Sequence, residues 1–442
     1  MKKLLILAYD YPPYVSVAGL RPFAWQNYLH EYGIHPVVVT RQWSSEYGDK
    51  RDYIAASKSQ DIVVEETGIS TIVRTPYKPN IANRILLKYG ETKYKLVRKI
   101  ISGWYEVMQY MFFVGPRAGL YRGAKHYLKN NQVDAIIATG DPFVLFKYAA
   151  ALSQKHNIPW IADYRDPWVE SSSRAKHFLF KKYYAWRERS FLQSASMITT
   201  VSDFLKKKIA QNIKNKPFKI ITNGYNPDAI APTKAIPQAS DCLRIAFVGT
   251  IYAWHPWKSV VSCFAQFAKS EMQPRFELNF YGINNADEVK EFIANTYPEL
   301  KTYVKVYPRM KNDLLLKELA KQNMMLLFNY YSFMGTKIYD YMAIERQILF
   351  CYSNDAEANE LKNKFYPLDE IPGCSTHLQE DLIKETNSGI IIKDKEELLK
   401  TLPTIYEEFT KHGQINCKSY GYEKYSRKGQ TEQLANIIKA LQ

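Results

Sequence analysis

Residues 324–352, MMLLFNYYSFMGTKIYDYMAIERQILFCY, decide the fold class of this chain. Two apolar runs within them, Met324–Phe328 and Gln347–Tyr352, have the length and composition of buried strands. A loop with one glycine follows the first run, and a helix then begins, with Thr336 as its predicted N-cap and Asp340 one turn further along. The order strand, helix, strand predicts a βαβ unit of a parallel sheet.

The loop of this unit follows the carboxyl end of a strand and precedes the first turn of a helix. Open α/β sheets bind phosphate groups at such places, because free backbone N–H groups and the helix dipole favour an anion. We therefore predict that Gly335, Thr336 and Lys337 contact a phosphate-bearing ligand and that Asp340 accepts hydrogen bonds from a ribose. The alternative is an ordinary βαβ crossover with an exposed aspartate.

The same alternation of strands and helices extends along both halves of the chain, which predicts two Rossmann-like domains, each a doubly wound parallel sheet. We place the N-terminal domain at residues 1–225, a linker rich in Pro and Ala at 226–241, the C-terminal domain at 242–424 and a closing helix at 425–442. The remaining strands are predicted at Leu4–Ala8, Pro36–Thr40, Ala135–Ala138, Trp160–Ala162, Ser196–Val201, Lys219–Thr222, Arg244–Val248, Phe276–Tyr281 and Val304–Tyr307.

The composition is that of an ordinary globular protein, with 442 residues of which 46% are hydrophobic. No run of 18 apolar residues predicts a transmembrane helix. The five cysteines are widely spaced and lack a CxxC pair, which argues against a disulfide framework and a zinc site and for reduced thiols in a cytoplasm. The N-terminal apolar run resembles a signal peptide, but it is short and Tyr9–Pro13 interrupts it, so we expect a first strand there.

The net charge of +16 indicates an anionic partner. Ten Lys or Arg residues lie between residues 81 and 130 against two glutamates, with aromatic residues among them, and residues 174–189 add six more. Such helices suit an anionic membrane surface, for example the inner face of the cytoplasmic membrane. The alternative, of equal weight, is a solvated basic face with its aromatic residues in the core. No nucleic-acid-binding motif is recognisable, so we expect no nucleic-acid partner.

Two loops in the first half contain residues suited to ligand binding. Tyr9–Pro13, which follows the first strand, is stiffened by two prolines, and Gly19 beyond it allows backbone to approach a ligand closely. In the second loop, Asp163 and Asp166 flank Arg165, so an ion-pair cluster that lines a cleft is possible. A structural βα loop and a structural Asp–Arg pair are the alternatives.

A third loop follows the strand that ends at Val248. Gly249 and Thr250 open it, and Lys258 lies further on, where a cation could neutralise a diphosphate. A solvated lysine is the alternative. We interpret His255, in the same loop, as a surface histidine.

Taken in order, these loops and the segment Gly335–Ala343 resemble family 4 glycosyltransferases of the bacterial cell-surface polysaccharide type, whose donor-site motif is usually Gly/Ser-x-Lys-x-x-Glu-Tyr-x-Ala. The resemblance implies a GT-B fold, in which two Rossmann-like domains face a central cleft. It implies a nucleotide-sugar donor, with a UDP-sugar favoured, bound mainly by the C-terminal domain. It implies a saccharide or lipid-linked saccharide acceptor bound mainly by the N-terminal domain, and a final helix that returns to that domain.

By position, the resemblance assigns Asp340 to the ribose, Lys258 to the diphosphate and Gly19 to the donor phosphates from the opposite side. The chain departs from the family pattern twice. Ser332 stands where the first glutamate of the family signature is usual, and no arginine precedes Lys258 between residues 249 and 257.

The sequence has no DxD pair to hold a divalent metal, so we expect a metal-independent transferase of the hexosyltransferase type, with no metal ligands and no cofactor. The catalytic residues would be Asp163, Arg165, Asp166 and Lys258, with the first three on the acceptor side. Retention of the anomeric configuration is implied by the resemblance. A GT-B-like sugar-nucleotide epimerase or hydrolase and a non-catalytic basic binding protein are the alternatives.

Overall fold

The computed structural model describes residues 1–43, 50–169, 178–366, 368 and 370–441. The chain forms two compact units, the first made of Met1–Thr222 and Arg427–Gln442, the second of Asn223–Ser426. The segment that the sequence suggests as a linker, 226–241, lies within the second unit. The closing helix is part of the first.

The first unit contains an eight-stranded sheet in the order β3-β4-β2-β1-β5-β6-β7-β8, in which every neighbouring pair is parallel except β3 and β4. Its strands are β1 Lys2–Leu7, β2 Ile34–Arg41, β3 Val63–Glu66, β4 Thr71–Thr75, β5 Ala135–Gly140, β6 Trp160–Tyr164, β7 Met197–Thr200 and β8 Phe218–Ile220.

Helices cover both faces of this sheet, and a short 3₁₀ helix, Leu29–Tyr32, precedes β2. The Ser16 hydroxyl caps the first helix by accepting a hydrogen bond from the Ala18 N–H. The helices are α1 Val17–Tyr28, α2 Lys50–Ile54, α3 Ile81–Tyr89, α4 Lys95–Met108, α5 Ala118–Tyr127, α6 Val144–His156, α7 Phe178–Leu192 and α8 Asp203–Ala210.

The second unit contains a six-stranded, fully parallel sheet in the order β11-β10-β9-β12-β13-β14. Its strands are β9 Leu243–Val248, β10 Phe276–Tyr281, β11 Val304–Tyr307, β12 Met324–Phe328, β13 Gln347–Cys351 and β14 Gly389–Ile392. Its helices are α9 Pro227–Ile230, α10 Trp257–Ala268, α11 Ala286–Thr296, α12 Asn312–Ala320, α13 Lys337–Ile344, α14 Ala356–Phe365, α15 Leu378–Thr386 and α16 Lys395–His412. Three 3₁₀ helices are Ala231–Thr233, Pro298–Thr302 and Tyr422–Tyr425.

The last helix, α17 (Arg427–Ala440), packs in the first unit. Side chains of β1 alternate between two cores, as the period of a strand requires. Leu5 and Leu7 belong to one core, while Leu4 and Ile6 share the other with Leu434 of α17. The sheet is therefore buried on both faces, which confirms the predicted doubly wound architecture.

Each sheet has a point at which the chain reverses the direction in which strands are added. This point lies between β1 and β5 in the first unit and between β9 and β12 in the second. Ligands of open α/β sheets bind outside the carboxyl ends of the strands at such switch points.

Candidate active site

A pocket of about 350 Å³ lies at the switch point of the first unit. The loop after β1, the start of α1, the loop after β5 and the residues after β6 supply most of its wall. The pocket is lined by Asp10, Ser16, Val17, Ala18, Tyr53, Arg117, Asp141, Pro142, Arg165 and Asp166. Two of the residues predicted to be catalytic, Arg165 and Asp166, are therefore brought to one pocket.

Asp10 and Arg165 are two of the five charged residues that line this pocket. The Ser16 hydroxyl donates to Asp10 Oδ2 at 2.7 Å, while Oδ1 is buried and has no hydrogen-bond partner among the residues described. Burial raises the pKa of the Asp10 carboxyl, and the Ser16 hydrogen bond and nearby Arg165 oppose that rise. Arg165 is oriented by the carbonyl oxygens of Gly140 and Asp141, at 3.0 and 2.9 Å. The pocket therefore contains a carboxylate oxygen of Asp10 that is free to accept a hydrogen bond and a guanidinium group of Arg165 that is held in place.

Asp163, the third predicted catalytic residue of this unit, does not line the pocket. Its carboxylate is fully buried at the end of β6, where it pairs with Arg21 of α1 and not with Arg165. Thr139 and Thr199 also donate to it, at 3.0 and 2.8 Å. The expected cluster of Asp163 with Arg165 is corrected, because Arg165 lies beyond the end of the strand and binds loop carbonyls instead.

Gly19 lies in α1, next to the pocket. A Cβ atom at this position would stand 3.2 Å from the carbonyl oxygen of Asp10, so the helix packs directly against the loop after β1. This close approach accounts for the glycine. Its predicted contact with donor phosphates stays a prediction.

The loop after β9 begins with a glycine in a left-handed conformation. Gly249 has a φ of 98°, and its N–H donates to the Tyr281 carbonyl oxygen at 3.0 Å. Thr250, next in the loop, is exposed. Lys258 is the second residue of α10, and its Nζ lies 3.2 Å from Oε1 of Glu288 on α11. The ammonium group is therefore paired with a carboxylate of the helix that follows β10. The assignment of Lys258 to a diphosphate stays a prediction.

The loop after β12 leads to α13, as expected. Thr336 occupies the N-cap position, but its side chain makes no capping hydrogen bond, so it does not satisfy the first N–H groups of the helix. Lys337 Nζ lies 3.2 Å from Asp340 Oδ2, and Asp340 is mostly buried. Gly335 lies against the side chains of Gln379 and Tyr330. Lys337 and Asp340 are thus one ion pair at the start of a helix.

His255 is buried, with 2% of its surface exposed, so the interpretation of a surface histidine is wrong. Its ring packs 5.1 Å, centroid to centroid, from the rings of both Phe328 and Tyr330. The Tyr252 N–H donates to its Nδ1 at 3.2 Å. Burial lowers the pKa of His255 to about 3, so the imidazole is neutral near pH 7.

Two further buried polar side chains belong to the loop after β12 or contact it. Ser332 is 1% exposed, and its hydroxyl has no hydrogen-bond partner within the described part of the chain. Gln379 Oε1 accepts from the Tyr330 N–H at 2.9 Å, whereas its Nε2 has no such partner there. Sequence reasoning missed Gln379, because α15 is far from the loop in sequence and no motif marks it.

Within the residues described, no group of three or more His, Cys, Asp or Glu side chains could hold a metal ion. The same residues contain no helix that is long and apolar enough to cross a membrane.

Residues 25–229 match the family model described as Glycosyltransferase Family 4. This segment belongs to that family. The match confirms the recognition from the sequence, and the family 4 segment coincides with most of the first unit; the donor motif around Gly335 lies outside it. No curated protein is significantly similar to the chain in sequence.

Solved structures show the fold. Sucrose-phosphate synthase from Thermosynechococcus elongatus is 13% identical, with a TM-score of 0.61 over 99% of this chain and 98% of that one. An E. coli structure described as trehalose-6-phosphate bound with UDP-2-fluoro glucose is 10% identical, with a TM-score of 0.60 over the whole of both chains. Anabaena HepE in complex with UDP-glucose is 13% identical, with a TM-score of 0.54 over the whole of both chains. The GT-B fold is confirmed for the chain, and the family match over residues 25–229 indicates a glycosyltransferase.

Proposed function

We propose that this chain moves a sugar from a nucleotide-sugar to a saccharide or lipid-linked saccharide acceptor in the synthesis of a cell-surface polysaccharide. The pocket at the switch point of the first unit carries the proposal. Its wall mixes carboxylates with the guanidinium groups of Arg117 and Arg165, and such groups suit the many hydroxyls of a sugar. We assign this pocket to the acceptor, with Asp10, Arg165 and Asp166 as its polar contacts.

We assign the donor to the switch point of the second unit. The start of α13 offers backbone N–H groups and the positive end of the helix dipole to a diphosphate, with Lys337 beside them. Asp340 would accept hydrogen bonds from the ribose. A UDP-sugar is favoured, because the E. coli and Anabaena structures of the same fold contain UDP-2-fluoro glucose and UDP-glucose.

The reaction would exchange two bonds at the anomeric carbon. The bond from that carbon to the diphosphate oxygen breaks, the acceptor oxygen forms the new glycosidic bond, and the departing phosphate takes the hydroxyl proton. Charge grows on the diphosphate, and preorganised N–H groups and cations stabilise such charge without a metal. Retention of configuration is part of the proposal. Lys258 would have to leave Glu288 to take part, and Asp163 would act only by holding the scaffold.

A thermal-shift screen against UDP-, GDP-, ADP- and CMP-sugars, with and without EDTA, tests the donor. A ligand at 100 times its Kd stabilises the fold by about 2.7 kcal/mol. We expect stabilisation by a UDP-sugar that EDTA leaves unchanged, and an acceptor-dependent product whose anomeric signals in NMR match the donor. Donor consumed without any acceptor would instead favour an epimerase or hydrolase.

We also propose that the chain works as a peripheral protein at the inner face of the cytoplasmic membrane. The structure leaves α4 without a single buried residue, and Leu96, Ile100 and Trp104 on it are 71%, 64% and 52% exposed. Their spacing places them on one face of the helix. The alternative, a solvated basic face, required the aromatic residues of this stretch to lie in the core. The exposure of Trp104 and its apolar neighbours argues against it.

The exposed start of α7 extends this surface. Phe178 and Leu179 are exposed, and the Tyr183 hydroxyl of the same helix donates to the Val107 carbonyl oxygen of α4 at 2.9 Å. Of the second basic stretch, residues 174–177 lie outside the described residues. Basic residues near such a surface each add about 1 kcal/mol of attraction to an anionic leaflet. An amphipathic, cationic surface of this kind suits the interface of a bilayer.

A further inference from the structure

We propose that His255, as a neutral imidazole, donates a hydrogen bond from Nε2 to a phosphate oxygen of the nucleoside diphosphate. Ser332 and Gln379 would contribute further hydrogen bonds in the same site. This inference rests on the proposed function and deepens it. The family pattern suggests Lys258 as the side chain that binds the diphosphate. In this chain we assign a diphosphate contact to the neutral His255 as well.

The position of His255 is the first argument. It belongs to the loop after β9, and its ring contacts Phe328 at the end of β12 and Tyr330 in the loop beyond. Because β9 and β12 flank the switch point of the second unit, His255 lies where its sheet binds ligands. Lys258, three residues later, pairs with Glu288 on the side of β10.

The tautomer of His255 is the second argument. A backbone N–H can only donate, so the hydrogen bond from Tyr252 N–H requires Nδ1 to be an acceptor. The single ring proton of the neutral imidazole then sits on Nε2. That N–H is buried and has no hydrogen-bond partner among the residues described. A buried donor left unpaired loses its hydrogen bonds to water, and a ligand acceptor would replace them.

Two other buried side chains also have a polar atom without a hydrogen-bond partner among the residues that the structure describes. Ser332 Oγ and Gln379 Nε2 are also buried without partners in the described chain. Gln379 is held by its contact with the Tyr330 N–H, and its amide nitrogen faces Gly335 at 3.5 Å from the place of a Cβ. His255 and Gln379 thus both contact Tyr330, and Ser332 lies two residues beyond it in the loop that leads to α13.

The character of the groups selects the ligand. In this tautomer His255 Nε2 can only donate a hydrogen bond, as can Gln379 Nε2, and the Ser332 hydroxyl can also donate. Donors next to a helix N-terminus favour an anion with several acceptor oxygens, which a diphosphate provides and a base or ribose does not. Neutral donors also avoid the desolvation cost of a buried cation, which suits a ring buried against Tyr252, Tyr330 and Phe328.

The test is the affinity for UDP-glucose, measured by calorimetry on the full chain. His255→Phe keeps an aromatic ring against Phe328 and Tyr330 but removes the N–H, and we expect a roughly 10- to 100-fold weaker affinity. His255→Gln retains an N–H and should recover part of the loss. Lys269→Ala, at an exposed lysine that follows the last residue of α10 and pairs with Glu299, is the matched control and should bind within about 2-fold of the wild type.

The charge state gives a second readout. A neutral donor predicts that the ratio of wild-type to His255→Phe affinity is constant between about pH 5.5 and 8, whereas an imidazolium would make it rise on acidification through about 6.5. Histidine ¹⁵N chemical shifts should show a protonated Nε2 and an unprotonated Nδ1, even if His255→Phe fails to fold. Equal affinity of wild type and both His255 variants, or the opposite tautomer, overturns the inference alone. A wild type that binds no nucleotide-sugar overturns the proposed function as well.

Discussion

Arg21 of α1 and Asp163 of β6 form a buried ion pair in the first unit. Nη2 of Arg21 lies 2.9 Å from Oδ1 of Asp163, and Nε lies 3.2 and 3.1 Å from the two carboxylate oxygens. The same guanidinium donates to the carbonyl oxygens of Ile221 and Thr222, at 2.9 and 3.0 Å. One pair therefore ties α1, β6 and the segment after β8 together beneath the pocket.

Asp163→Ala should lower the free energy of unfolding by about 3–5 kcal/mol, because it leaves the buried Arg21 charge without its partner. Chemical denaturation measures the change. Asp241→Ala is the control: its carboxylate is exposed in a pair with Arg244, and its loss should cost less than about 1 kcal/mol. An Asp163→Ala protein of unchanged stability that has lost turnover would instead support the catalytic assignment.

Gly19→Ala should distort the pocket. The new methyl group would press against the Asp10 carbonyl oxygen, and overpacking of this kind costs about 1–3 kcal/mol. Asp10 lines the pocket, so we expect KM for the acceptor to rise. A rise in KM for the donor as well would support the predicted contact of Gly19 with donor phosphates. Gly103→Ala in α4 is the matched control, since nothing lies within 4 Å of its Cβ position, and it should stabilise the chain by about 0.5–1 kcal/mol.

The sequence predicted the strands that are apolar and buried. Met324–Phe328 and Phe276–Tyr281 have the bounds expected, because a continuous apolar run is typical of a strand covered on both faces. It missed β3, whose residues Val63–Glu66 are all exposed, since an edge strand needs no apolar pattern. It also missed β4 and β14, although β4 is mostly buried.

Side-chain partners were less predictable than strands. The burial of His255 depends on Phe328 and Tyr330, which only the pairing of β9 with β12 brings near it. The turn of Lys258 toward Glu288 likewise depends on how α10 and α11 pack. The contact between Lys337 and Asp340 could be predicted from helical spacing alone, because the two residues are three positions apart on one helix.

Asp340→Ala should weaken the binding of a UDP-sugar by about 10-fold or more, because the ribose hydroxyls lose a charged acceptor. Removing its pair with Lys337 should change the stability of the ligand-free protein by less than about 1 kcal/mol. Calorimetry and thermal unfolding check the two effects. Glu318→Ala, which breaks an i, i+3 pair with Lys321 on α12, is the control and should leave nucleotide-sugar affinity unchanged. Equal affinity in both variants would contradict the ribose assignment.

Acceptor use should depend on the ionisation of Asp10. Burial raises the pKa of this carboxyl, so kcat/KM for the acceptor should rise with pH until Asp10 is ionised. The folded pKa lies above the unfolded one, so the group favours the folded state at low pH and that contribution is lost as pH rises through the folded pKa. Asp10→Asn should therefore flatten the acid limb of the pH profile and raise Tm at pH 7. A profile identical to that of the wild type would contradict this role.

The exposed face of α4 should carry the chain to anionic membranes. Replacing Leu96, Ile100 and Trp104 together by serine removes apolar area that a bilayer interface would bury, at about 25 cal/mol per Å². We expect the wild type to float with vesicles that contain anionic lipid and the triple variant to bind them at least about 10-fold more weakly. Leu314→Ser, at an exposed leucine of α12, is the control and should bind as the wild type does. Because charge contributes to the attraction, flotation should weaken in high salt and with purely zwitterionic vesicles. If the wild type does not bind anionic vesicles at low salt, the proposal that α4 binds a membrane is wrong.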